Sequence, residues 1–144
     1  MTTKQLWAAL RANWRIAPRS LVVVCVACSI ASIGYLPVVF APQAIREHLI
    51  QYLGWSPIML FWGPALVAAS AIAGRRRVSA RVLVFMGLLS ALSAVWHAHG
   101  LGKGSQFPYF KVSPWLVAWE VALAIVLVIV GTSPRIQAFC ENEP

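Results

Sequence analysis

Four apolar runs, residues 21–41, 55–74, 82–100 and 114–131, dominate this chain of 144 residues and leave it few ways to fold. Each is about 20 residues long, the length a helix needs to cross the roughly 30 Å hydrocarbon layer of a bilayer. Alternating segments of about ten residues, the mark of a membrane β-barrel, are not what the runs look like. With 60% hydrophobic and 11% charged residues and a mean hydropathy of +0.73, the chain is far from a soluble domain. Such domains carry roughly 45–50% apolar and about 25% charged residues. A small soluble fold leaves too much of its surface in water to hide this much apolar area. In lipid the backbone must satisfy its own polar groups, which helices do. The expected fold is all-α: an integral membrane bundle of four transmembrane helices.

Three regions follow along the chain. Residues 1–20 read as an amphipathic interfacial segment. Leu6, Trp7, Leu10, Trp14 and Ala17 recur at spacings of three and four, while Lys4, Arg11 and Arg15 take another face. Trp at headgroup level and Arg reaching for anionic lipid are the chemistry such a segment uses. Pro18 breaks the helix before the first span. A basic leader is the competing reading, but the run that follows exceeds the 7–15 residues of a signal-peptide core. Residues 21–131 form the four-helix transmembrane domain. Residues 132–144 form a tail holding Arg135, Cys140, Glu141 and Glu143.

Basic residues orient the bundle. Lys4, Arg11, Arg15, Arg19, Arg75, Arg76, Arg77, Arg81 and Arg135 fall on one side, and Arg46, Lys103 and Lys111 on the other. The positive-inside rule puts the first group in the cytoplasm, so both termini are expected there. Trp55, Trp96 and Trp115 then lie near the outer interface. The net charge of +8 is spent on orienting helices, and no basic face remains for nucleic acid. The expected partners are the bilayer, a metal ion or another membrane protein.

Cys25 and Cys28 stand at i and i+3 in the first run, which puts both sulfurs on one side of a helix. Thiolate is the preferred ligand of soft cations such as Hg(II), Cu(I) and Zn(II). Cysteine also packs well between helices as a small hydrophobe, the competing reading. Cys140 is expected as an exposed thiol of the cytoplasmic tail. Glu120, the only acid inside a run, is either functional or a hydrogen-bonded carboxyl joining helices. His97 and His99, at i and i+2, point to different sides of a helix and read as interfacial histidines in water. Together with His48, Glu47 and Glu120 they put several metal-capable groups toward the outer side.

The residues for several other functions are missing. A haem-b anchor needs axial histidines from two spans, and only the third carries any. A quinone-coupled thiol oxidase would want its cysteine pairs at the outer face. Three cysteines, two of them within an apolar run, make no disulfide framework. No Ser/His/Asp set, P-loop or zincin motif appears, so no enzyme and no resident cofactor are expected.

In its layout the chain resembles the MerC-type mercury-uptake proteins of bacterial inner membranes. The residues that carry the likeness are Cys25-Val26-Ala27-Cys28, the Arg75-Arg76-Arg77 turn, and Ser133-Pro134 followed by Cys140. Ser29 stands where that family typically has proline, the tail has one cysteine rather than two, and the segment before the first span is longer. The resemblance implies passage of Hg(II) by thiol exchange, with Cys25 and Cys28 as the intramembrane stage and Cys140 as an exit ligand. The alternative is a non-catalytic accessory or immunity-type membrane protein. It would act through helix contacts with a partner, on a face built from Gly34, Gly63, Ser70, Gly87 and Ser90.

Overall fold

The computed structural model describes residues 2–40, 42, 61–103 and 114–141, which form six helices and no strand. They are α1 (Thr3–Trp14), α2 (Arg19–Val39), α3 (Gly63–Gly74), α4 (Arg77–Lys103), α5 (Pro114–Thr132) and α6 (Pro134–Glu141). His48, Trp55, the start of the second apolar run and the 104–113 loop with Lys111 lie outside the described residues. Within α4, Arg77–His99 is 23 residues with a mean hydropathy of 1.9, enough to cross a bilayer by itself. The apolar parts of α2, over Arg19–Gly34, and of α3 are shorter. α5 passes the same test together with α6, but the two are bent by 55°.

Local chemistry sets the helix ends. α1 starts on a capping box: Gln5 N–H donates to the Thr2 hydroxyl, and Thr2 N–H donates to Gln5 Oε1 at 2.8 Å. α3 stops at Arg75, whose φ of 46° is left-handed and whose N–H donates to Ala71 O at 3.0 Å. A residue with a Cβ in that conformation costs roughly 1–2 kcal/mol, so side-chain contacts must hold it there. Its guanidinium lies 4.9 Å from the Phe139 ring centroid, and Nε donates to Phe139 O at 3.2 Å. That carbonyl belongs to the last turn of α6, where it has no helical partner. One arginine therefore ends α3 and caps α6.

α4 and α5 pack most extensively. The buried residues of α4 are Ala80, Leu83, Gly87, Ser90, Ala94 and His97, spaced alternately by three and four. Those of α5 include Glu120, Leu123, Leu127 and Val130, spaced the same way, with Ala124 and Gly131 beside them. This is the seam of two helices crossing at a shallow angle. At Gly131 a Cβ would meet Val84 Cγ2 at 2.6 Å and Ala80 O at 2.8 Å. At Gly87 it would meet Val128 Cγ2 at 2.9 Å and Ala124 O at 3.1 Å. Large apolar side chains instead point outward: Phe85, Leu88, Leu92 and Val95 on α4, Ile125 and Ile129 on α5.

The other helices complete the bundle. α2 packs chiefly on α3 and touches α5, and α1 lies across α3, where Asn13 Nδ2 donates to Ala73 O at 3.2 Å. Phe61 stacks on Trp119 with ring centroids 5.9 Å apart, joining the start of α3 to α5. Two residues expected on a partner-facing surface, Gly87 and Ser90, are instead inside the α4–α5 seam. Gly34 is exposed, with nothing within 4 Å of a Cβ.

At both glycines a methyl group would meet a valine side chain first and a backbone carbonyl next, and both distances are shorter at Gly131 (2.6 and 2.8 Å) than at Gly87 (2.9 and 3.1 Å). Both Gly131→Ala and Gly87→Ala are expected to destabilise by about 1–3 kcal/mol, Gly131→Ala more. Unfolding of the detergent-solubilised protein, followed by circular dichroism, measures this; midpoints equal to wild type would rule out the close approach.

Candidate functional site

Two groups of chemistry-bearing residues emerge, toward opposite ends of the bundle. The first is the thiol pair. Cys25 and Cys28 share the buried face of α2 with Leu21 and Val24, and both are free thiols. Cys25 Sγ lies 3.9 Å from Ala65 O of α3, a weak S–H donor contact. The hydroxyls of Ser29 and Ser32 donate back to the carbonyls of Cys25 and Cys28 at 2.7 and 2.6 Å. A proline at 29 would have no N–H for the Cys25 carbonyl. The serine leaves α2 unbroken, so both thiols stay in register on one face.

Cys140 departs from the expectation of an exposed tail thiol, being only 1% exposed. The tail forms a short amphipathic helix whose Ile136, Phe139 and Cys140 dock under the bundle, α6 packing on α4 and α5. Arg75 holds it from one side, and an exposed ion pair joins Arg77 and Glu141 at 3.5 Å. Burial pushes the Cys140 thiol up from its ordinary 9.0, while the nearby Arg75 charge pulls the other way. Among the described residues no three His, Cys, Asp or Glu side chains gather as a metal-binding group. Cys140 therefore does not join Cys25 and Cys28 in a three-ligand set.

The second group joins α4 to α5. Glu120 is fully buried, and its two oxygens lie 2.8 and 2.9 Å from His97 Nδ1. The Ser93 hydroxyl donates to Glu120 Oε1 at 2.7 Å and lies 3.5 Å from the same Nδ1. With the carboxylate ionised, Nδ1 carries the proton and the acid accepts from both neighbours. His97 is thus sealed against a carboxylate rather than facing water as an interfacial histidine, because it falls on the seam with Ser90 and Ala94. His99, two residues on, is exposed.

Serine, histidine and glutamate together suggest a hydrolytic triad, but the arrangement is wrong for one. A triad acid and nucleophile bind opposite nitrogens of the imidazole. Here both meet Nδ1, and Ser93 gives its proton to Glu120 instead of to a base. What the cluster does is lock α4 to α5 through a buried, satisfied acid. The signal for it was present in the sequence: an acid inside an apolar run needs a partner, and Ser93 and His97 stand one turn apart on the neighbouring run.

The chain matches no protein-family model, no curated protein and no solved structure.

Two outcomes follow from this geometry. Iodoacetamide should alkylate Cys140 far more slowly in folded protein at pH 7.5 than after unfolding in SDS, with Cys25 and Cys28 replaced by serine. Since the folded thiol keeps its proton where the unfolded one loses it, its contribution to stability is complete below pH 9.0 and falls as the pH rises beyond. Separately, His97→Ala strands a buried acid and should cost roughly 3–5 kcal/mol. The double replacement His97→Phe/Glu120→Leu should cost less than His97→Ala alone in the same unfolding experiment. Additive losses would contradict the buried pair.

Proposed function

We propose that this chain is a four-span protein of a bacterial-type inner membrane, with both ends in the cytoplasm, that passes a soft metal ion through the Cys25 and Cys28 thiols. Three features support the membrane placement: the apolar runs, the nine-to-three distribution of basic residues, and the outward-facing large side chains of α4 and α5. An apolar exterior around a seam of small and polar residues is the pattern of helices packed in lipid, where close approach replaces the hydrophobic drive.

The observation that carries the metal reading is the shared buried face of the two thiols on α2. Hg(II) is content with two sulfur ligands. Binding releases one proton from each thiol and leaves a neutral bis-thiolate, which can sit in an apolar surrounding without a water-filled path. The resemblance to MerC-type proteins points to the same ion. Cys140 would serve as an exit ligand only once α6 lifts, because the docked helix covers it.

One observation favours the second reading, a non-catalytic accessory or immunity-type protein. Cys25 already has a backbone acceptor in Ala65, and Cys28 is 2% exposed, which is also how packing cysteines are placed.

Hg(II) binding to the purified protein in detergent separates the two. Wild type is expected to bind one ion, and the Cys25→Ser/Cys28→Ser double variant, with Cys140 kept, none. Equal binding by both, or none by wild type, would transfer the assignment to the accessory reading.

A further inference from the structure

The groove on α1 has no role in either reading above. Its described walls are Trp7, Leu10 and Trp14, which are apolar, and Arg11 and Arg15, one turn apart beside them; the cavity holds about 320 Å³. That volume is at the lower end of small-molecule sites, roughly 300–1,000 Å³. Leu10 and Trp14 rest against the core, while Trp7 is 61% exposed. Docking of α1 on α3 through Asn13 and Ala73 sets the groove at the level where α3 ends and α2 begins.

Charge decides what such a groove accepts. The first acid in the sequence is Glu47, so no carboxylate precedes or interrupts the arginines of α1. Among the described residues Arg11 and Arg15 enter no ion pair and no side-chain hydrogen bond. The described acids are committed elsewhere, Glu120 to His97 and Glu141 to Arg77. Two guanidinium groups on one rim favour a phosphate. Two indoles and a leucine in the same groove favour a group with apolar matter attached to that phosphate.

We propose that this groove is a binding site for one anionic phospholipid of the cytoplasmic leaflet, its phosphate between Arg11 and Arg15 and its glycerol and upper acyl carbons against Trp7, Leu10 and Trp14. The site rests on the membrane reading and is independent of the thiols. It goes beyond a general attraction of basic residues to an anionic surface, because it assigns the lipid to Arg11 and Arg15 and excludes Lys4 and Arg19 of the same segment.

Native mass spectrometry of the protein in detergent, titrated with dioleoyl phosphatidylglycerol or phosphatidylcholine, reads the site directly. Wild type should retain one phosphatidylglycerol in preference to phosphatidylcholine. Arg11→Gln/Arg15→Gln should bind it about tenfold more weakly, or worse. Lys4→Gln/Arg19→Gln, which removes the same charge outside the groove, should bind as wild type does, and Trp7→Ala should weaken binding with no change of charge. Equal loss in both charge variants, no loss in Arg11→Gln/Arg15→Gln, or displacement of the lipid by millimolar inorganic phosphate would overturn the proposal. Carbonate extraction of membranes keeps the two readings apart. Protein released by carbonate would defeat the membrane placement, whereas carbonate-resistant protein without headgroup preference would defeat only the lipid site.

Discussion

The structure depends above all on how closely α4 and α5 approach each other. Gly87, facing Ala124 and Val128, and Gly131, facing Ala80 and Val84, lie within one heptad of each other along the seam and let backbone meet backbone where any side chain would collide. That approach brings Glu120 within hydrogen-bonding distance of His97 and Ser93. It also explains the inverted pattern of the helices, with small and polar residues inside and Phe85, Leu88 and Leu92 outside. Under the proposed membrane placement no hydrophobic drive would operate between the two helices, so packing and polar contacts would have to hold them. The seam supplies both. Its one incomplete element is Ser90, whose hydroxyl is the single sealed side-chain polar atom without a partner among the described residues.

The opposite end is held differently, by side chains reaching backbone carbonyls that helix ends leave free. Asn13 takes the Ala73 carbonyl at the end of α3, and Arg75 takes the Phe139 carbonyl at the end of α6. Two short amphipathic helices, α1 and α6, are thereby fastened at the end of the bundle where Arg75, Arg76 and Arg77 lie. The arginine run also has a place within the fold. Arg75 bends the chain in a left-handed turn and clamps the tail, and Arg77 faces Glu141. The contacts with Phe139 offset the backbone cost of that turn, which glycine would have avoided.

Much of the helical order was legible in the sequence, because apolar runs and their basic borders report directly on where helices begin and end. α1 ends at Trp14, ahead of Pro18, and α5 runs from Pro114 to Thr132 against an expected 114–131. The pairing of His97 with Glu120 was not read, though its parts were each singled out. Helix-period spacing says which residues share a face, but not which face meets which neighbour. Cys140 was misplaced for another reason. Arg135, Gln137 and Glu141 make the tail look solvated, and they mask the stripe of Ile136, Phe139 and Cys140, at i, i+3 and i+4, that a helix would bury. A tail of eight helical residues is too short for composition to reveal such a face.

The sealed thiols put a demand on the proposed transport. An ion reaching Cys25 and Cys28 must part α2 from α3, since Ala65 stands against Cys25 and both sulfurs lie in the core. Parting α4 from α5 would break a buried acid out of its hydrogen bonds and open the most extensive helix contact among the described residues. Among its described residues α2 is held less firmly: its contacts run chiefly to α3, where Cys25 makes only a weak thiol contact with Ala65 O, the Ser29 and Ser32 hydroxyls bond within the helix, and Val23, Ile30 and Ile33 face outward. Under the proposed membrane placement, sliding α2 against lipid would exchange apolar contacts for others of the same kind, at little cost. The division of the bundle into a locked pair and a loosely held thiol helix is therefore the physical condition under which two buried sulfurs could trade a metal ion at all. A rigid four-helix core built wholly like the α4–α5 seam would hold the same cysteines as packing and nothing more.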